Sequence, residues 1–129
     1  MPLVHVNRRA GRPREENAGV LEGIHAAIVE AFKTPMHDRT QLLSEHDAAH
    51  FEIPADRTAA YTLIEITAFP GRSVDAKRAL YRGIVARLEA IGIAPADVLI
   101  VLTEPPLESW SIRGGAAACD VKVGYKIDV

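Results

Sequence analysis

The chain repeats itself, and this constrains its fold more than any other feature. Gly11-Arg12 recurs as Gly71-Arg72, GIHA (Gly23 to Ala26) recurs as GIVA (Gly83 to Ala86), and Pro35 recurs as Pro95, all at one offset. After a slip of one residue, DRTQLLSE (Asp38 to Glu45) matches DVLIVLTE (Asp97 to Glu104). A duplicated segment of this length is one supersecondary unit used twice. The fold must therefore be built from two similar halves.

Each half reads the same way. A short aliphatic run comes first, Leu3 to Val6 and then Leu63 to Thr67, with the composition of a strand. A Gly-Arg turn follows. A helix comes next: Val20, Leu21, Ile24, Ile28, Ala31 and Phe32 recur at helical spacing, as do Leu80, Ile84, Leu88 and Ile91. Pro13 suits a first helical position, and Glu15, Glu16 and Asp75 suit the positive end of a helix dipole. Pro35 and Pro95 stand beyond the helices, and a second strand closes each unit near Gln41 to Ser44 and Val98 to Thr103.

Two tandem β-α-β units with internally parallel strands follow from this pattern. The expected fold class is α+β: a four-stranded sheet with two helices on one face, in a single domain. The first unit spans 2–46, a linker 47–60, the second unit 61–106 and a tail 107–129. The tail's DVKVGYKIDV alternates and predicts a short hairpin or an edge strand. Helices on one face leave the other face of an aliphatic sheet bare, so self-association through the sheet is expected.

Composition narrows the function. A net charge of −2 over 129 residues gives no reason to expect nucleic acid or an anionic membrane as partner. The single Cys119 excludes an intrachain disulfide framework and fits a reducing cytoplasm. No run reaches membrane-spanning length, and arginines at 8, 9, 12 and 14 interrupt any leader-like stretch. No phosphate loop or dinucleotide fingerprint is present.

The first residues, MPLVHV, put a proline directly behind the initiator methionine. Trimming of Met1 is the usual outcome for Met-Pro, and it would leave Pro2 as a rigid secondary amine at the terminus. A free α-amino group titrates near ~8 in water, and a prolyl amine is more basic. An apolar setting and nearby arginines would lower its pKa and free the lone pair as a base. A dominant carboxylate would instead keep it cationic, as a general acid.

These features together resemble the tautomerase superfamily. The match is carried by PLVHVNRRAGR (Pro2 to Arg12), HAAIVEAFKTPMHDRTQ (His25 to Gln41), FPGRSVDAK (Phe69 to Lys77) and LTEPPLESWSIRGG (Leu102 to Gly115). The first stretch resembles 4-oxalocrotonate tautomerase and the second resembles malonate semialdehyde decarboxylase. The resemblance implies a homotrimer with one amino-terminal proline per chain, because Thr62 stands at the position equivalent to Pro2. It also implies a small carboxylate substrate, a 2-oxo acid, with no cofactor and no metal.

The implied roles fall on six residues. Pro2 is the general base of a keto-enol isomerase, and Arg72 and Arg12 hold the carboxylate and the developing oxyanion. Asp38 stands beside the proline, as in the decarboxylase-like group, and the matching Asp97 allows a purely structural cap as well. Arg113 is a third candidate cation for substrate binding. Trp110 is an aromatic wall, and Gly114 and Gly115 turn the backbone beside it. Where the decarboxylase pattern has two closely spaced arginines, this chain keeps only Arg72. Two alternatives remain open: a decarboxylase or hydratase using cationic Pro2 with Asp38, and a non-catalytic trimeric binding protein. His46 and His50 lack metal-ligand spacing, His25 reads as a hydrogen-bonded structural histidine, and Cys119 has no activating neighbour.

Overall fold

A computed structural model describes residues 2–129. Each half of the repeat forms a strand, a helix and a second strand. The first half gives β1 (Pro2–Arg9), α1 (Arg14–Phe32) and β2 (Thr40–His46). The second gives β3 (Thr62–Ala68), α2 (Val74–Glu89) and β4 (Val98–Thr103). β1 runs parallel to β2, β3 runs parallel to β4, and the halves join through antiparallel pairing of β1 with β3. The sheet order is β2-β1-β3-β4. Pro2 pairs with Ala68 and Arg8 pairs with Thr62, so each inner strand begins where the other ends.

Pairing on both sides carries β1 past its aliphatic run, through Asn7 to Arg9. Strand extent here follows the ladder rather than propensity. The helix-facing positions Val4, Val6, Ile64 and Ile66 are fully or almost fully buried against Val20, Ile24, Ile28 and Phe32 of α1. Leu80, Ile84 and Leu88 of α2 complete this core. Ile91 departs from the expected helical stripe. α2 ends at Glu89, Gly92 turns the chain at φ +97°, and Ile93 takes the core position while Ile91 stays exposed. Pro13 is the cap of α1 rather than its first helical residue, and Ser73 caps α2 by accepting from the Ala76 amide.

The repeated glycines let the helices approach. A Cβ on Gly23 would stand 3.2 Å from Cβ of Arg87, and one on Gly83 would stand 3.4 Å from Cβ of Ala27. These two contacts are counterparts under the internal repeat.

The tail differs from expectation. The short hairpin forms earlier, from β5 (Ser111–Arg113) and β6 (Ala116–Ala117), turning at Gly114 and Gly115 with φ +62° and +84°. Residues 121–129 form no strand. They cross the sheet end instead, where the Val129 carbonyl accepts from the Ser73 amide and Ile127 packs on Gly71. The alternation there reflects no ladder, because tertiary contacts and not strand pairing hold the segment.

The sheet face away from the helices exposes Leu3, Leu42, Leu99 and Val101. Polar pairs lie among them: His5 Nε2 to Ser44 Oγ at 2.8 Å, and Asn7 Nδ2 donating to Glu65 at 3.2 Å. Among the described residues, no helix is long and apolar enough to cross a membrane.

Candidate functional site

The antiparallel register decides which residues can meet. The start of β1, the end of β3 with the following Gly71-Arg72 turn, and the entry to β2 lie at one end of the sheet. They meet a cleft of about 540 Å³ whose lining includes Asp38, Arg39, Phe69, Arg113, Lys122 and Tyr125. Pro2 is buried in β1 at this end, opposite Ala68 and next to Leu3, whose β2 partner Thr40 also lines the cleft. Removal of Met1 falls outside the described residues. The lining carries several cations and, in Asp38, one carboxylate, which suits an anionic guest.

Arg72 is the most constrained cation here, at 6% exposure. Gly71 turns at φ +121°, a conformation open to glycine, and this turns the chain into α2 through Arg72. Arg72 Nη1 donates to the Phe69 carbonyl at 3.0 Å, and the guanidinium lies 4.7 Å over the Phe32 ring. Burial pushes its pKa down from the ordinary value, which the approach of Tyr125 opposes. A guanidinium stays charged under such a push. Among the described residues, neither Nε nor Nη2 completes a hydrogen bond of ordinary geometry.

Tyr125 was not legible as a site residue. Burial, and then Asp38, push its phenol above the usual range, while Arg72 pulls the other way. The hydroxyl therefore stays protonated between a cation and a carboxylate. The only trace in the sequence is a Gly-Tyr in a tail whose alternation points to a strand instead. Asp38 is half-buried, and its amide donates to the Pro35 carbonyl at 3.1 Å. Arg113 is exposed on the cleft and donates from Nη2 to the Lys122 carbonyl at 3.4 Å. Trp110 meets Phe69 edge-to-face at 4.9 Å and donates from Nε1 to the Pro105 carbonyl. It thus backs the cleft through Phe69.

Arg12 is not brought to this cleft within the chain. It follows the far end of β1, an eight-residue strand that separates it from Pro2 by about 25 Å. Its guanidinium is closed on Glu16, with Nε–Oε2 at 2.8 Å and Nη2–Oε1 at 2.9 Å. The hydrogen bond from Arg12 holds the Glu16 carboxyl at about 2, against the opposing effect of burial and with help from Arg8. The matching bond to Glu16 raises Arg12.

The remaining candidates have local partners. His25 is buried and donates from Nε2 to the Met36 carbonyl at 2.9 Å, the structural role expected of it. His46 Nε2 meets Asn7 Oδ1 at 2.7 Å. Asp97 is buried and accepts from the amide and hydroxyl of Thr58, which makes it a structural carboxylate.

Two family models, each described as tautomerase enzyme, match residues 2–59 and 38–113. The chain is 31% identical to the probable tautomerase YrdN of Bacillus subtilis (strain 168), covering 91% of this chain and 95% of that one. It is 28% identical to the probable tautomerase YusQ of the same organism, covering 91% and 97%. Among solved structures it is similar to malonate semialdehyde decarboxylase, with TM-score 0.83 and 29% identity over 93% of this chain and 99% of that one. A fused 4-OT symmetric trimer shares the fold, with TM-score 0.80 and 24% identity over 91% and 96%. With two β-α-β units and both halves matched, the chain belongs to the tautomerase superfamily.

Proposed function

We propose that the protein is a keto-enol isomerase of small 2-oxo acids in which Pro2, freed by loss of Met1, is the general base. The buried Arg72 guanidinium supports this reading: among the described residues, two of its N–H edges complete no hydrogen bond of ordinary geometry, at the same end of the sheet as Pro2. Unpaired buried donors are costly, and a bound carboxylate is the acceptor that fits them. The Pro2 nitrogen takes the enol O–H proton as the C=O bond forms, then returns a proton to the carbon. The protonated Tyr125 hydroxyl donates to the oxygen on which charge resides. Arg113 draws the substrate anion in, and Phe69 backed by Trp110 supplies the apolar wall that keeps the amine neutral. Arg12 is assigned to Glu16 rather than to the substrate of its own chain.

The working form is a homo-oligomer, read as a trimer. The bare sheet face with Leu42, Leu99 and Val101 supports this, as does the trimeric assembly of the fused 4-OT neighbour.

One observation favours a second reading. Asp38 lines the cleft, and a neighbour at 29% identity is a decarboxylase with hydratase activity. In that chemistry Pro2 remains cationic and Asp38 orients water or the leaving carboxylate. A non-catalytic trimeric binding protein would retain the anion site and lose nothing when Pro2 is changed.

The test pairs intact mass with turnover. The expected mass lacks Met1. Pro2→Ala should lower ketonisation of phenylpyruvate and 2-hydroxymuconate by at least about a hundredfold while the fold is kept. Equal turnover by the variant overturns the reading, and turnover of malonate semialdehyde alone favours the second.

A further inference from the structure

The far end of the sheet repeats the surroundings of Pro2 with three exchanges. At the repeat offset, Thr62 stands in place of Pro2, Arg8 in place of Ala68, and Glu16 in place of Ala76. Arg12 is the counterpart of Arg72. The nitrogens with which Arg12 grips Glu16, Nε and Nη2, are the same two that in Arg72 complete no hydrogen bond of ordinary geometry among the described residues, with Tyr125 approaching instead of a carboxylate. Glu16 thus fills one fork, while its counterpart Ala76 brings no carboxylate to the matching one.

Arg8 strengthens the filled fork. It is fully buried, and its Nη1 lies 2.8 Å from Glu16 Oε2. It is held in turn by Asn17 Oδ1 at 2.7 Å, Thr62 Oγ1 at 3.0 Å and the Ala60 carbonyl at 3.1 Å. Two guanidinium groups therefore converge on one carboxylate from a framework that other contacts already fix.

We propose that the far end is a second small-carboxylate site in each chain, kept shut by Glu16, whose carboxylate occupies the place of the ligand. A site with its own acid in it binds nothing else, so the duplication leaves one working site per chain. Thr62 provides no base there: its hydroxyl donates to the Ala60 carbonyl at 2.9 Å and accepts from Arg8. The opened site would hold an acid without turning it over. Solvent reaches it, because the Arg12 side chain is 32% exposed and Glu16 13%.

The test removes the plug and supplies a free carboxylate. Glu16→Ala is melted in rising sodium formate, with sodium chloride at equal ionic strength as control. Formate should raise its melting temperature by about 5 °C beyond any rise seen in the wild type, and the response should saturate. Adding Arg12→Gln should cancel the excess. A response to formate no larger than to chloride overturns the proposal and leaves Glu16 as a structural clamp only. If Glu16→Ala does not fold, Arg8→Ala/Glu16→Ala removes the buried unpaired cation and copies the Ala68/Ala76 pair; the same readout applies. No turnover is measured, so failure here is distinct from failure of the Pro2 reading.

Discussion

At the residue scale, Glu16 and Ala76 show how one side chain decides what an arginine is available for. Glu16 in the folded chain titrates at about 2, below its ordinary value of 4.5. A depressed carboxyl pKa contributes stability that is complete above about pH 4.5 and is lost as pH falls toward about 2. Glu16→Gln should cost about 3 kcal/mol at pH 7, because it strips the buried Arg8 of its counter-charge. Urea unfolding at pH 7 and pH 3 should show that cost shrinking in acid; an equal cost at both would contradict the assignment. Pro2, Arg72 and Asp38 were singled out because they sit in short motifs at fixed places, and the structure brings them to one end of the sheet. The separation of Arg12 from Arg72 was not legible, since the repeat makes them look alike and only the antiparallel register puts them at opposite ends. Tyr125 was illegible for another reason: the alternation of the tail points to a strand, whereas the segment is held by contacts with Gly71 and Ser73, far away in sequence.

At the element scale, the two β-α-β units were readable because each strand and helix has its own period and each boundary has a Gly, a Pro or a cap. The paired glycines acquire their meaning only once the helices are packed. Gly23→Val should destabilise the fold by about 1–3 kcal/mol, since its Cβ would lie 3.2 Å from the Arg87 Cβ and demands that α1 and α2 move apart. A drop in the urea midpoint at unchanged slope is the expected result. No drop would mean the helices are not held at this distance. The end of α2 and the path of the tail were misjudged from sequence because both are set by tertiary contacts: Ile93 reaches the core after the turn at Gly92, and Ile127 covers Gly71.

At the scale of the whole molecule, a sheet with helices on one face must cover the other, and the apolar side chains there are well spread. Val101 is 46% exposed on β4. Val101→Lys should convert a trimer into monomers in sedimentation velocity at micromolar concentration, without changing the helical signal. A monomeric wild type would contradict the trimer. The proposed catalysis turns on one narrower point, that the nitrogen of Pro2 is a neutral base at the same end of the sheet as the buried charge of Arg72. The most direct measurement is a pH titration of the ¹⁵N-labelled Pro2 amine by NMR in protein lacking Met1. The proposed mechanism requires a titration below the ~8 of a free α-amino group, moving upward in Arg72→Gln. A nitrogen that titrates above that value and ignores the loss of Arg72 would contradict it.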